Sequence, residues 1–378
     1  MIFDYETLRM AWKDESKGKR NAENQQRYRY NLEENLYDLA ERLQNGTFEP
    51  SPLRIKQIYF PKRRQAQVPS QEDKIVQHAI SDTYAYFPLV APLVKEASAN
   101  TRGRGTDYAV DLLEKNLRSF WLKYHRPPVI IKADIHSFFA SIMHERVFWM
   151  IDKYLDDEDV REIMRRFVNL TQIGLPLGLQ QSQLLANLFL SELDHKLKER
   201  YGVEFYGRHM DDFYILCESK EKAEAILEFV EKYVTSIGLE LNPKTCISYR
   251  SFDYLGFHFT MSDTGKIIVR VAKSKMISKR HHLRRLVEQL GKKEITPERL
   301  EEAYFGWRQH ALKAKNARTQ VLNMDDYLDG LLRKIGYRLI IYKVPYGKVK
   351  WRVLIAPVKE ENHVKNNFPA HGRNADLH

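Results

Sequence analysis

Two short apolar segments that each meet an aspartate constrain the fold of this chain most strongly. The run VIIKADI, residues 129–135, is short, apolar and rich in β-branched residues, which favours a buried strand over a helix. In EFYGRHMDDFYILCES, residues 204–219, two apolar runs flank a tight polar centre, which is the pattern of a β-hairpin. The sequence therefore predicts a buried strand that ends at Asp134 and a hairpin centred on Asp211 and Asp212.

Helical patterns separate these strands. Residues 219–238 are amphipathic, with Ser219 as the expected N-cap and Gly238 as the expected stop. The segment 174–190, GLPLGLQQSQLLANLFL, begins with a Gly/Pro turn and continues with helical spacing, and another helix is predicted to start at Ser70. Strands that alternate with helices predict an α+β fold in which helices pack on a sheet.

The last third of the chain has a different pattern. Residues 270–340 return to helical spacing, with no obvious strand. The segment 338–355 then predicts a second hairpin, which turns at Pro345–Lys348 and carries basic and aromatic residues in alternation.

The hairpin centre brings two acidic side chains together in an apolar setting. Like charges in a partly desolvated site raise each other's pKa or require a cation, and Mg²⁺ is a cation that carboxylate oxygens bind well. The alternative is a plain turn, where aspartate is common because its side chain bonds to the backbone. With Asp134 at the end of a neighbouring strand, two metal ions for phosphoryl transfer become the chemical hypothesis.

Charge is distributed unevenly along the chain. The 378 residues carry a net charge of +11; residues 1–260 carry −2 and residues 261–378 carry +13. A basic segment of this density favours a polyanion such as nucleic acid, and a solvated basic surface is the alternative. Two cysteines, a charged N-terminus and the lack of a long apolar run predict a soluble cytoplasmic protein with no membrane segment.

Six motifs in order resemble those of the reverse transcriptases, especially the prokaryotic group that includes group II intron, retron, diversity-generating and phage-defence enzymes. They are PKRR, KADIHSFF, GLPLGLQQSQLLANLFL, RHMDDF, GLELNPKTC and FDYLGFHF, and they cover roughly residues 50–260. The resemblance implies a right-hand polymerase fold. Its RRM-like palm would contain an antiparallel sheet, and its fingers and thumb would be helical.

The resemblance also implies roles in catalysis. Asp134, Asp211 and Asp212 match the metal-binding triad, the backbone carbonyl of Ile135 is a further expected ligand, and two Mg²⁺ ions are the expected cofactors. Lys244 matches the lysine thought to protonate the pyrophosphate leaving group, and a solvated lysine after a proline turn is its alternative.

Nucleotide binding is implied at a second set of residues. Lys62, Arg63 and Arg64 lie where the fingers of the family grip the triphosphate, although surface charge is an alternative reading. Phe139 takes the position of the steric gate that excludes a 2′-hydroxyl, with a core aromatic beside Phe138 as the alternative. Gln183 belongs to the amide-rich start of the helix that lies under the incoming nucleotide.

Template and primer contacts are implied along the loop, helix, hairpin and thumb motifs of the family. The residues concerned are Arg102, Arg104, Gln180, Asn187, His209, Tyr254, Leu255, Gly256, Arg308 and Lys313. The last two belong to residues 304–318, which resemble a basic thumb helix set against the duplex. A flexible basic turn is the alternative for Arg102 and Arg104.

Two positions depart from the family pattern. His209 replaces the aromatic residue that usually begins the Y-x-D-D motif, so packing at the primer end is expected to change, with a structural accident as the alternative. Leu177 stands where many viral relatives carry glutamine and where diversity-generating enzymes carry an aliphatic residue. Lower copying fidelity is the hypothesis that this second departure suggests.

The expected protein is an RNA-directed DNA polymerase with fingers and palm at 1–260, a thumb at 261–340 and a basic hairpin and tail at 341–378. Its expected partners are an RNA template, a primer or cDNA, and deoxynucleoside triphosphates; no oligomeric state is predicted. A +13 thumb and tail exceed what a short duplex requires, which favours a structured noncoding RNA and a role in phage defence. The alternatives are a mutagenic diversity-generating enzyme and an inactive nucleic-acid-binding scaffold.

Overall fold

Residues 3–18, 23–58, 64–343 and 351–358 are described by the computed structural model. The chain divides into two compact units, Met1–Arg250 and Ser251–His378. The predicted division at residues 260 and 340 stays a prediction. Within the described part of the chain, no helix is long and apolar enough to cross a membrane.

The first unit contains short strands and many helices. Its strands are β1 (Arg54–Ile58), β2 (Arg64–Val68), β3 (Val129–Ala133), β4 (Tyr206–His209), β5 (Asp212–Cys217) and β6 (Cys246–Tyr249). Its helices are α1 (Tyr5–Glu15), α2 (Glu23–Tyr30), α3 (Leu32–Gln44), α4 (Gln71–Ala79), α5 (Tyr86–Val90), α6 (Thr106–Tyr124), α7 (Phe138–Ser141), α8 (His144–Tyr154), α9 (Glu158–Val168), α10 (Gln180–Phe189), α11 (Ser191–His195) and α12 (Lys220–Ser236). Two π-helical segments are Ile80–Ala85 and Lys196–Arg200.

A four-stranded antiparallel sheet forms the centre of this unit, in the order β4-β5-β3-β6. The predicted strand is β3, and the predicted hairpin is the β4–β5 pair, so both predictions are confirmed. Ile130 and Ile131 are adjacent and point to opposite faces, and both are fully buried. Burial on both faces explains why this strand is a continuous apolar run rather than an alternating one.

Helix starts follow the capping signals in the sequence. The Ser70 hydroxyl accepts a bond from the Asp73 amide, and the Asp73 carboxylate accepts one from the Ser70 amide, which completes a capping box. The Ser219 hydroxyl caps α12 by accepting a bond from the Lys222 amide. Gly238, just beyond α12, has a φ of +77°, as the predicted stop requires.

The β1–β2 hairpin contacts the Gly/Pro turn that precedes α10. The backbone amide of Leu177 donates to Gln67 Oε1 at 2.8 Å. Gly178 has a φ of +110°, and a Cβ atom there would lie 2.3 Å from the Gln67 carbonyl oxygen. Glycine is therefore required for this close approach of loop and strand.

In its described residues, 251–343 and 351–358, the second unit combines two small sheets with three helices. Its elements are β7 (Ser251–Tyr254), β8 (Phe257–Met261), β9 (Ile267–Val271), α13 (Lys273–Gly291), α14 (Pro297–Ala311), α15 (Arg318–Arg333), β10 (Tyr337–Lys343) and β11 (Trp351–Pro357). The strand order is β7-β8-β9, and β10 pairs with β11. Leu283, Tyr304 and Leu328 pack in its helical core.

The predicted C-terminal hairpin is confirmed as the β10–β11 pair, and its predicted turn, Pro345–Lys348, lies outside the described residues. The prediction of helix throughout 270–340 was wrong at both ends, because β9 extends to Val271 and β10 begins at Tyr337. The predicted helix at 304–318 also ends early, at Ala311.

Candidate active site

The three predicted aspartates meet at one end of the central sheet. β3 and β5 run antiparallel with Ala133 opposite Phe213, so the next residues beyond this pair are Asp134 and Asp212. His209 pairs with Asp212 across the β4–β5 hairpin, which leaves Met210 and Asp211 as its two-residue turn. Because β5 pairs with both β3 and β4, the strand register alone places the three aspartates at the same end of the sheet.

Burial makes this end of the sheet electrostatically unfavourable. Loss of water raises the pKa of Asp211, and the neighbouring Asp134 carboxylate raises it further. Burial also raises the pKa of Asp212 to about 6, and Asp134 and Asp211 act in the same direction. The site is therefore a cluster of carboxylates that a nearby positive charge would stabilise.

Lys132 supplies one such charge. Its ammonium group forms an ion pair with Asp212 Oδ1, and this pair opposes the rise in the Asp212 pKa. The lysine was missed in the sequence analysis, although its spacing carried a signal. Residues 132 and 134 are two apart in an extended segment, so their side chains lie on the same face.

The loop after α12 holds both the backbone and the side chain of Asp134 by hydrogen bonds. The Asn242 amide N–H donates to the Asp134 carbonyl at 2.7 Å, and Asn242 Nδ2 donates to the Asp134 carboxylate at 3.0 Å. Ile135 pairs with Leu241 in an isolated antiparallel bridge. The Lys244 amide donates to Asn242 Oδ1 at 3.1 Å and its side chain is exposed. The predicted catalytic lysine is thus in the loop that holds Asp134.

The donor set of this site suits a hard divalent cation, which binds carboxylate oxygens. Two neighbouring carboxylates with raised pKa values also show the need for positive charge. Across 3–18, 23–58, 64–343 and 351–358, however, no three Asp, Glu, His or Cys side chains converge on one metal position. Asp212 contacts Lys132 instead, so metal binding there requires a rearrangement of this pair.

A family model for reverse transcriptase (RNA-dependent DNA polymerase) matches residues 60–259, which is more than half of the chain. The chain belongs to the reverse transcriptases. The matched region contains all three aspartates and Lys244. Membership also accounts for the right-hand polymerase fold, with its antiparallel sheet covered by helices.

Individual relatives match about half of this chain or less. The group II intron-encoded protein LtrA of Lactococcus lactis is 24% identical over 229 residues, covering 53% of this chain and 37% of LtrA. The retron Ec86 reverse transcriptase of Escherichia coli is 29% identical over 122 residues, covering 32% of this chain and 38% of that enzyme. The matched regions thus span less than two fifths of these relatives.

Solved structures give only a weak similarity. A telomerase from Candida albicans, solved in complex with a TWJ fragment of telomeric RNA, aligns with a TM-score of 0.45 and 11% identity. The alignment covers 76% of this chain and 64% of the telomerase chain. A score of this size supports no conclusion about function.

Three of the expected nucleotide-binding residues lie on elements that the structure describes, namely β2, α7 and α10. Phe139 is partly buried and packs edge-on against Phe138, with ring centroids 5.7 Å apart, so it is in contact with the core without being enclosed by it. Gln183 is exposed on α10. Lys62 and Arg63 lie outside the described residues, and Arg64 begins β2, with a side chain that is also not described.

The polar residues of α10 differ in exposure. Gln180 is half-buried, and its backbone amide donates to Gln77 Oε1 at 3.0 Å. Asn187 is only 1% exposed, and its Nδ2 donates to the Ala99 carbonyl at 2.8 Å while its Oδ1 accepts from Arg208. A template contact by Asn187 is therefore incompatible with its burial, and we correct its role to a support within the protein.

The basic loop of the reverse transcriptase surrounds a small polar cavity of about 280 Å³. Arg102 lies over the Tyr86 ring, 4.3 Å from its centroid, and pairs with Asp82 at 3.2 Å. Arg104 donates to the carbonyl oxygens of Val94 and Ala97. Arg102 is thus exposed at the cavity, whereas one nitrogen of Arg104 is engaged by the backbone.

His209 begins the aspartate motif of this reverse transcriptase and faces inward. Its Nδ1 lies 2.9 Å from the Ser98 hydroxyl. Burial lowers the pKa of His209, and the neighbouring Arg208 lowers it further, which favours a neutral imidazole. The histidine that replaces the aromatic residue of the family therefore makes a specific polar contact with Ser98.

The remaining predicted contacts belong to the second unit. Leu255 and Gly256 form the β7–β8 turn with φ values of +49° and +89°, and Tyr254 precedes them as a buried residue. Arg308 is buried on α14 and pairs with Asp325 through two nitrogens. This pairing contradicts a phosphate contact by Arg308. Lys313 is exposed in the loop after α14.

Exposed cations in this unit gather elsewhere, around a groove of about 670 Å³ between the β7–β9 sheet and α13. Arg270, Lys273 and Arg280 line it, together with the His258–Asp253 pair. The sequence analysis missed this groove because its residues come from three strands and two helices.

Proposed function

We propose that the protein is an RNA-directed DNA polymerase that makes cDNA by two-metal nucleotidyl transfer. The observation that carries this proposal is the meeting of Asp134, Asp211 and Asp212 at one end of an antiparallel sheet in a chain of the reverse transcriptase family. Two bound Mg²⁺ ions would activate the attacking 3′-hydroxyl and stabilise the leaving pyrophosphate.

The protein's own residues would prepare this reaction. Asp134, Asp211, Asp212 and the carbonyl of Ile135 would hold the ions, and Asn242 keeps Asp134 in place. Exposed Lys244, in the same loop, would protonate the pyrophosphate.

Substrate selection would depend on residues beside this site. Lys62, Arg63 and Arg64 would neutralise the triphosphate, and Gln183 would contact the nucleotide from α10. The partly exposed ring of Phe139 would exclude ribonucleotides by its bulk.

Template and primer would contact both units. In the first unit, Arg102, Gln180 and His209 are the candidates, with Arg104 in a supporting position. In the second, we propose Leu255, Gly256 and Lys313, with buried Tyr254 in a supporting position, together with the cationic groove of Arg270, Lys273 and Arg280. Three cations along one groove fit the phosphates of a nucleic-acid strand.

A structured noncoding RNA and a role in phage defence in the cytoplasm complete the proposal. The +13 charge of residues 261–378 supports an RNA partner larger than a short duplex. The two cysteines, which form no disulfide, are compatible with a reducing compartment. The mutagenic diversity-generating role is the alternative that Leu177 favours, since this exposed aliphatic residue replaces the glutamine of viral relatives.

Primer extension tests the biochemical proposal. The purified chain, Mg²⁺ and labelled deoxynucleotides are incubated with a primer on an RNA template, and in parallel with ribonucleotides. We expect templated incorporation of deoxynucleotides. No incorporation on any RNA template, despite RNA binding, would favour the inactive scaffold. Sequencing of copurified RNA and of cDNA made in cells then separates defence from mutagenic copying.

A further inference from the structure

The side chain of Arg208 is the centre of a buried polar cluster next to the aspartate turn. Arg208 lies on β4, and its side chain and that of Asp194 are both fully inaccessible to solvent. Nε donates to Asp194 Oδ1 at 2.8 Å, and Nη2 donates to Asp194 Oδ2 at 2.5 Å. Coulombic attraction and hydrogen bonding to Asp194 hold the arginine charged despite its burial.

The other donors of Arg208 bind three further acceptors, on two residues. Nη1 donates to Asn187 Oδ1 at 2.8 Å and to the Met210 carbonyl at 2.9 Å, while Nη2 also donates to the Asn187 carbonyl at 3.1 Å. A guanidinium has five N–H donors, and these five bonds use all of them. No smaller cation could make the same set.

Met210 is the important acceptor in this cluster. It has a φ of +61°, a left-handed conformation that is unfavourable for a methionine, and it is the first residue of the hairpin turn. Its carbonyl belongs to the peptide that links it to Asp211. A bond to this carbonyl therefore fixes the peptide plane that leads into Asp211, and Asp212 is the next residue along the chain.

The same cluster ties the turn to a helix of the site. Asn187 lies on α10, which also carries Gln183, and Asp194 lies on α11. The backbone of Arg208 is held independently, since its N–H donates to the Glu96 carbonyl and its carbonyl accepts from Ser98. The side chain is thus not needed to keep β4 in the sheet, and it is free to act on the turn.

We propose that Arg208, held by Asp194 and Asn187, is a positioning residue that sets Asp211 and Asp212 for metal binding and orients them relative to α10. The inference rests on the proposed polymerase function. A buried ion pair is often no more stabilising than apolar side chains of the same size, so stability alone does not explain such a cluster. Control of the conformation of the aspartate turn does explain the presence of this cluster.

The test compares Arg208→Lys with Tyr206→Phe. Lysine keeps the charge opposite Asp194, but a single nitrogen cannot also reach Met210 and Asn187. Tyr206 donates to Asp194 Oδ1 at 2.6 Å, so its loss controls for damage to a buried hydrogen bond of the same cluster. Single-nucleotide incorporation at several Mg²⁺ concentrations gives kcat, KM and the metal requirement, and thermal unfolding with and without Mg²⁺ needs no catalysis.

We expect Arg208→Lys to lower kcat by about ten-fold or more, with KM for the nucleotide changed by less than about two-fold, and to raise the Mg²⁺ requirement. The same variant, Arg208→Lys, should also reduce the rise in melting temperature that Mg²⁺ causes. Tyr206→Phe should keep both the parental kinetics and the parental rise in melting temperature. Equal kinetics and equal Mg²⁺ shifts in the two variants would overturn the inference. Asp194→Asn, which keeps the side-chain shape, serves the same comparison if the lysine variant does not fold.

The two possible failures are distinguishable. An inactive parent protein would contradict the proposed function, and the Mg²⁺-dependent shift in melting temperature would still test the positioning role. An active parent with an unaffected Arg208→Lys variant would contradict the positioning role alone.

Discussion

Lys132 balances part of the negative charge that three aspartates bring to one end of the sheet. Its ion pair with Asp212 lies where neither partner is well solvated. A divalent cation at the same carboxylates would have to displace or share this contact. The lysine can therefore be understood as a tethered counter-ion that stabilises the protein before metal is bound.

This view predicts opposite effects of Lys132→Met on two quantities. The metal-free protein should become less stable, because buried carboxylates lose their counter-ion, by about 1–3 kcal/mol. Stabilisation by Mg²⁺ should increase, because no lysine competes with the metal. Thermal unfolding over a Mg²⁺ titration measures both, and an unchanged Mg²⁺ effect would contradict the competition. Lys123→Met, at an exposed ion pair with Glu204, is the control.

Phe139 makes a second prediction at the residue scale. Phe139→Ala should increase incorporation of ribonucleotides relative to deoxynucleotides, by about ten-fold or more, if the ring blocks the 2′-hydroxyl. Phe138→Leu controls for loss of the aromatic contact within the core, since Phe138 is the buried partner of the pair. Competition between the two nucleotide classes measures the effect. Equal selectivity in the parent and Phe139→Ala would show that Phe139 is only a core aromatic.

At the scale of elements, the buried strand β3, the aspartate hairpin, the C-terminal hairpin and the helix caps could be predicted from local pattern. Asn187 shows where pattern was misread, since its i+3 spacing from buried Leu184 already indicated the inner face of α10. Arg308 could not be judged from its neighbours, because its partner Asp325 is on the next helix. The Arg208 cluster depends likewise on side chains from separate elements, so only the folded chain reveals it.

The contact between the Gly/Pro turn and β2 gives a prediction about an element. Gly178→Ala should destabilise the protein by more than Gly46→Ala, because both glycines have positive φ but only Gly178 lies against backbone. The conformation alone costs about 1–2 kcal/mol, which is the expected loss for Gly46→Ala. Chemical denaturation gives the two free energies of unfolding. Equal losses would contradict the close packing of this turn on Gln67.

At the scale of the whole molecule, the acidic site and the excess of basic residues belong to different parts of the chain. A first part that is nearly neutral carries the acidic site, and the basic excess lies beyond residue 260. The sequence identified that excess but placed its nucleic-acid contacts on α14. The described structure instead has exposed Lys273 and Arg280 on α13, facing a groove. Net charge alone does not predict which cations lie together on the surface, because that depends on how distant segments of the chain meet in the fold.

The proposed groove is tested by the salt dependence of duplex binding. Lys273→Ala combined with Arg280→Ala should weaken binding of an RNA–DNA duplex and reduce the slope of log K against log salt by about 2. Lys292→Ala combined with Lys293→Ala makes the same change in charge at exposed residues outside the groove. Equal slopes in the two double variants would show that the groove has no special part in binding.

Single-turnover incorporation of one deoxynucleotide on an RNA template tests the central claim most directly. The parent is compared with Asp134→Asn, Asp211→Asn and Asp212→Asn, each checked for folding by circular dichroism and for template binding. We predict that each substitution lowers the incorporation rate by at least about 1,000-fold while template binding is retained, because the amide cannot replace a charged metal ligand. Incorporation at the parental rate by the folded Asp211→Asn or Asp212→Asn variant would contradict the claim that these carboxylates carry the chemistry.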